Sequence, residues 1–455
     1  MWLTARDSKS QAVSGKVQLK RMARIKADVL FGVAAIVVTV LALCCLGPGS
    51  RSSAQLTFPV HLWTQLIPDP ATVDDVVGGL LLSSESALPS SPNTMHLELV
   101  FRSTSIGAVL ARLSPQDWDS FWRAHKTVSC GDHFDNLFRI VEHGRLILDL
   151  ECPWLAVYNS RDGTLIRRAL PRPDLLDMTA PSRTAPYPPA PAVLAVDSAR
   201  ERIAVAYNIG PSPRIFIYSA DLTTELHCWP LTRYVQDVSW SPDGTHLAVL
   251  YSGLYDRNRD FVGWRRNHTT SPDLNIEVLD VSTGAVAARA FSGNPAEGQV
   301  LFAPDPTIVY TIAASSLSDT APQGDGVRVI DWKTGRLLRV FAHLGFPLHA
   351  ELAVSSDGKW LAADASTELK HLPFVEADPF GDQSRFVALD AITGKVVLAI
   401  SKKTSVARDP SLRFGEKSNI LFAVFGPGRS HQQRIQQKDE LSAYCMDSTC
   451  ANHAN

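Results

Sequence analysis

Between about residue 96 and residue 446 the apolar residues come in short runs, separated by clusters of Gly, Pro, Ser and Asp, with little helical periodicity. Such a pattern predicts strands joined by turns. Two turn signatures recur. The first reads S-x-D-G, as Ser241-Pro242-Asp243-Gly244 and Ser355-Ser356-Asp357-Gly358, with looser copies in Val196–Tyr207 and Phe302–Ile312. The second reads D-x-x-T-G, as Asp280–Gly284, Asp331–Gly335 and Asp390–Gly394, with a variant at Asp162-Gly163. The first is a type I turn with Pro or Ser at its first corner, and in the second the Asp carboxylate can accept backbone N–H groups across the turn. Gly supplies the left-handed backbone conformation that closes it.

Alternation of the two signatures predicts a repeating unit of four antiparallel strands, which is one blade of a β-propeller. Units are expected near 96–133, 137–170, 193–230, 236–292, 298–341, 349–400 and 411–446. Seven blades is the best count, with six or eight as the alternatives. The last unit ends after its third strand, Leu441–Met446, and Phe58–Ile67 is a strand-like run suited to complete it. The expected architecture is therefore all-β, a single propeller of about seven four-stranded blades after an N-terminal signal or transmembrane helix. Its parts are a basic leader (1–28), the apolar helix (29–46), a linker with the ring-closing strand (47–95), the propeller (96–446) and a tail (447–455).

That apolar helix is where the pattern changes. Val29 to Leu46 carries no charge, and it follows a leader holding Arg6, Lys9, Lys16, Lys20, Arg21, Arg24 and Lys26 against Asp7 and Asp28. Eighteen residues in a helix span ~27 Å, about a bilayer core. Positive charge on the leading side keeps that end in the cytoplasm and sends the remainder across. Two fates stay open: cleavage after Ala54, where Ser52 and Ala54 offer small residues, or retention as a signal anchor. Met22 is an alternative start to Met1. Either fate puts the body outside the cytoplasm, in a periplasmic or secreted location.

Composition narrows the function classes. A net charge of −2 gives no broad basic field, so nucleic acid is not an expected partner. Five of the seven cysteines lie beyond the leader, and an oxidising compartment permits disulfides, with Cys445 and Cys450 placed to staple the tail. No zinc spacing, P-loop, G-x-S-x-G or H-E-x-x-H occurs, and no cofactor is expected.

The turn motifs resemble the bacterial branch of the WD-repeat, YVTN and quinoprotein-like propellers, and WSPDGTHLAVL is similar to repeats of periplasmic Tol-type propellers. The resemblance implies the fold. FVALDAITGKVVL looks like the quinoprotein docking motif, but Leu398, Arg339 and Ala288 stand where that family carries Trp.

A four-stranded meander puts its first and third turns at one end and its other connections at the opposite end. Both tight signatures fall at the first end. The long insertions fall at the other: Ser252–Asp273, Ala313–Gly326, Ala365–Ser384 and the proline-rich Pro171–Pro191. Loops of this length in a compact domain are commonly functional. One brings Tyr255, Trp264, Arg265 and Arg266, and another brings Phe374 and Phe380 among acidic residues. Aromatic and Arg side chains dominate binding hot spots. These six residues are the candidate binding surface, for another envelope or secreted protein or a glycan. The plainer reading has the two loops pairing with each other across the ring. The competing function is a propeller enzyme, quinoprotein-like oxidoreductase or hydrolase, with its site at the central channel.

Overall fold

Every blade is built around middle strands that are buried on both faces, as in Arg202–Tyr207 and Ile276–Asp280, and the chain lays the strands down in order. The computed structural model describes residues 59–68, 71–87, 96–114, 137–151, 154–169, 192–208, 213–231, 233, 235–251, 276–290, 298–313, 326–342, 351–364, 383–403, 411–415, 419–425 and 438–448. Strand β1 (Val60–Pro68) comes first. Blade 1 follows with β2 (Ala71–Val77), β3 (Leu80–Ala87), β4 (His96–Ser103) and β5 (Val109–Leu113). Blade 2 is β6 (Leu137–Val141), β7 (Leu146–Glu151), β8 (Trp154–Asn159) and β9 (Leu165–Ala169). Blade 3 is β10 (Ala192–Val196), β11 (Arg202–Tyr207), β12 (Arg214–Ser219) and β13 (Glu225–Pro230). Blade 4 is β14 (Val235–Trp240), β15 (His246–Tyr251), β16 (Ile276–Asp280) and β17 (Val286–Ala290). Blade 5 is β18 (Gly298–Phe302), β19 (Ile308–Ala313), β20 (Gly326–Asp331) and β21 (Arg336–Ala342). Blade 6 is β22 (Leu352–Val354), β23 (Trp360–Asp364), β24 (Gln383–Asp390) and β25 (Val396–Lys403). Blade 7 holds β26 (Ser411–Phe414), β27 (Ile420–Phe425) and β28 (Lys438–Cys445), with β1 as its outermost strand.

The recurrent motifs form the turns their chemistry requires. In blade 4, Ser241 Oγ donates to Asp243 Oδ1 at 2.6 Å and accepts the His246 N–H at 2.9 Å. Asp243 Oδ1 also accepts the Thr245 N–H at 3.0 Å. Ser355 and Asp357 repeat this network in blade 6. At the other signature, Asp280 Oδ1 accepts the N–H groups of Ser282 at 3.0 Å and Thr283 at 2.9 Å, together with both hydroxyls. Those side-chain hydroxyl bonds, followed by the backbone ones, hold its carboxyl down at about 2. In the looser copy of blade 3 the left-handed position is taken by Arg200 at φ +60° instead of Gly.

No single core exists. Seven apolar clusters each lie between two successive blades, and the seventh joins blade 7 to blade 1. That closing cluster sets Ile67, Ala71 and Leu81 against Phe422, Leu441 and Ala443. The inner strands β2, β6, β10, β14, β18, β22 and β26 each touch the next, and β26 touches β2, so the ring is closed. The expected ring-closing strand is thus β1, paired antiparallel with β28 from Val60 opposite Cys445 to Pro68 opposite Lys438.

The boundary expected at residue 96 is corrected. Blade 1 starts at Ala71, so β2 and β3 occupy what reads as linker, and the described part of the unit drawn at 96–133, β4 and β5, is instead the outer half of blade 1. Gly78-Gly79 between two apolar runs is the two-residue hairpin signal there. The apolar helix of 29–46 lies outside the described residues. Among those described, no helix is long and apolar enough to cross a membrane.

Candidate functional site

The strands position two surfaces. At one end of the ring the blades close with tight turns. At the other, β15 stops at Tyr251 and β16 resumes at Ile276, β19 and β20 flank 314–325, and β23 and β24 flank 365–382. Tyr255, Trp264, Arg265 and Arg266 fall in the first of these intervals, and Phe374 and Phe380 in the third. All six lie outside the described residues. Cys445 is buried in the closing core and is disulfide-bonded, with its partner, like Cys450, outside the described residues.

The second surface was not among the sequence-derived candidates: a set of charged and polar residues on the inner strands. An inner strand pairs on one side only, which leaves a free edge of N–H and C=O groups toward the axis. Those groups need partners, and side chains from neighbouring blades provide them. Asp237 of β14 accepts the Val300 N–H at 2.9 Å, and Ser239 accepts that of Phe302 at 3.0 Å. Gln299 of β18 accepts the Leu352 N–H at 2.7 Å. Ser411 of β26 bonds both the N–H and the C=O of Val73. Asp75 of β2 accepts the Ile140 N–H at 2.8 Å. Arg139 of β6 donates to the carbonyls of Asp74, at 2.9 Å, and Phe138.

Charge is distributed unevenly around this ring. Asp75 is clasped by Arg200, which reaches from blade 3 across blade 2 and also donates to the Ile140 carbonyl. Burial opposes the charge on Asp75, yet Arg200, with help from Arg139, holds its carboxyl below the ordinary range. Arg413 of β26 is ion-paired with Glu351, which raises its pKa against the effect of burial. Asp74, only 4% exposed, is pushed up to about 7 by burial, and its Oδ2 has no hydrogen-bond partner among the described residues. Asp237 is likewise pushed up to about 7, first by burial and then also by Glu351. In blade 3 the inner strand itself, Ala192–Val196, is wholly apolar, and that blade's charge comes from Arg200 in the turn after it.

The signal for these residues was present in the sequence as charges inside strand-length apolar runs: Asp74-Asp75 in TVDDVV, Arg139 in LFRIV, Asp237 in VQDVSW. Among the described residues no group of three or more His, Cys, Asp or Glu could hold a metal ion.

Neighbouring blades also dock through the turn glycines. A Cβ on Gly284 would overlap the Trp229 indole, and one on Gly394 the Phe341 ring. The aromatic contact between blades is made from these positions, not from Ala288, Arg339 or Leu398.

No protein-family model matches the chain, and no curated protein matches it in sequence. Among solved structures it is similar to Kuenenia stuttgartiensis hydrazine synthase, at 12% identity with a TM-score of 0.46, over 83% of this chain and 95% of that one.

Proposed function

We propose that this propeller is an extracytoplasmic binding scaffold that grips an envelope or secreted protein, or a glycan, through the face carrying its long insertions. The observation that carries this reading is the division of labour between the two ends. One end is spent on short turns whose polar atoms are satisfied internally, while the strands flanking the four longest interruptions inside blades (252–275, 314–325, 365–382 and 426–437) all open at the other. The direction of β1 supports it. Val60 pairs with Cys445 at the end of the third strand of blade 7, so the chain joins the propeller at the tight-turn end. Within the propeller, chain entry is thus kept apart from the insertion face. The disulfide at Cys445 supports an oxidising location, and the turn motifs support kinship with the WD-repeat and YVTN branch.

The test replaces Trp264 and Arg265 together with Ala. Capture of the partner from crosslinked envelopes is expected to fall about tenfold or more, as for loss of a hot spot, with melting unchanged. Equal capture by the double variant rejects this loop as the site. A channel enzyme is the second reading, favoured by two inner-strand carboxyls poised near neutral pH. An absorbance scan for a bound quinone addresses its oxidoreductase form.

A further inference from the structure

We propose that the inner rim shared by blades 7, 1 and 2 is a binding site for a small oxyanion, a carboxylate or a tetrahedral phosphate-like group, held between the guanidinium groups of Arg413 and Arg139. Both arginines lean on the same strand region. Arg139 donates through Nη1 to the carbonyl of Asp74, and Ser411, two residues before Arg413, is bonded to Val73. The two guanidiniums are close enough to repel, which adds to burial in lowering the pKa of Arg139. Each is anchored by Nη1 alone: Arg139 to the Asp74 and Phe138 carbonyls, Arg413 to Glu351 and the Leu412 carbonyl. Their Nε and Nη2 groups have no other partner among the described residues, and none is an enclosed, unsatisfied atom. Their remaining donors are therefore not enclosed by the described residues.

No carboxylate among the described residues lies within ion-pair distance of Arg139, in contrast to Arg102, Arg200, Arg202, Arg289 and Arg413. Asp75 acts on Arg139 without pairing with it directly; a half-enclosed guanidinium with no direct partner is costly, and an anion bridging it to Arg413 would reduce that cost with paired, charge-assisted hydrogen bonds.

The Asp74 carboxyl acts on this pair through its charge. The charged groups facing it are Arg139 from β6, Arg413 with its partner Glu351, and Asp75 with its partner Arg200; Asp237 lies further round the ring. With Asp74 neutral, the guanidiniums of Arg139, Arg200 and Arg413 face two paired carboxyl groups, Asp75 with Arg200 and Glu351 with Arg413, and the surplus is positive. Ionised Asp74 cancels that surplus and competes with the ligand. Binding is therefore expected to be strong at pH 6 and weaker by about tenfold at pH 8, where an acid titrating near 7 keeps its proton in about one molecule in ten.

The experiment titrates the full chain with sulfate and, separately, with acetate by calorimetry at pH 6 and pH 8; neither anion changes charge in that interval. The site predicts binding of at least one at pH 6, the tenfold loss at pH 8 in the native protein, a smaller loss in Asp74→Asn, where Asp237 still titrates near 7 and acts on Arg139, and no such loss when Asp237→Asn is added. Binding of sulfate or acetate alone supports the site and names the shape it prefers. Arg139→Gln and Arg413→Gln are expected to abolish binding, with circular dichroism reporting whether each has folded. Should either fail to fold, the pH profile of Asp74→Asn decides. No binding of either anion at pH 6, or an Asp74→Asn protein that keeps the full pH dependence, overturns the proposal.

Discussion

At the residue scale, the inner-strand carboxylates illustrate how one side-chain type does opposite electrostatic work. Asp75 is ionised and paired with Arg200. Asp237 accepts the Val300 N–H, but burial dominates and its carboxyl titrates near 7. Its folded-state pKa lies above the ordinary value of 3.8. The folded protein therefore keeps a proton that the unfolded chain releases, and stability falls as pH rises from about 4 to about 7, then levels off. Asp237→Asn removes that titration and keeps an acceptor for Val300. The variant is expected to gain on the native protein across the same interval, by on the order of a few kcal/mol at pH 8 and by nothing at pH 4. Parallel thermal melts at both pH values check the sign; an advantage that shrinks as pH rises would contradict it.

At the element scale, the turn glycines couple local conformation to packing between blades. Gly78 in the β2–β3 hairpin has φ +57° and open space where a Cβ would go. Gly394 has φ +72° and the Phe341 ring of blade 5 in that place. Gly78→Ala is expected to cost about 1–2 kcal/mol for the left-handed backbone alone. Gly394→Ala is expected to cost about 1–3 kcal/mol more, because the ring must move. Denaturant melts compare them, and equal losses would mean that the Gly394 contact between blades carries no stability.

Legibility in the sequence follows from the same physics. The turns were readable because Asp, Ser and Gly at fixed offsets have one local solution. The Gly78-Gly79 hairpin was missed because it lacks those side chains and sits beside a stretch already explained as linker. The polar inner ring was missed for a different reason. Asp75 finds Arg200 at a sequence separation of 125 residues, and no local pattern announces such a partner. The six aromatic and arginine candidates were drawn from loop length and composition, and they lie outside the described strands.

At the scale of the whole molecule, closure of the ring depends on β1. This strand completes blade 7, carries Ile67 into the closing core, and packs Trp63 across the seam, where its indole N–H donates to the Thr104 carbonyl of the blade 1 turn at 3.1 Å. Each blade shares its core with two neighbours, so loss of one seam exposes apolar faces on both sides. Deleting the residues before Pro68 is expected to abolish cooperative unfolding of the body. A truncated protein that melts as the native one does would mean that blades 1 and 7 hold together without their clasp.

The ring also sets the long interruptions and the tight turns at opposite ends, and the proposal that the first of these ends binds the partner is the central claim. The most direct test is partner capture by two altered proteins side by side. One has the Ser252–Asp273 segment shortened. The other carries Ile392→Ser at the exposed tip of a blade 6 turn, at the opposite end. A species captured by the native protein and by Ile392→Ser, but lost on shortening the loop, is the predicted result. A species that survives loop shortening and is lost with Ile392→Ser would contradict the account.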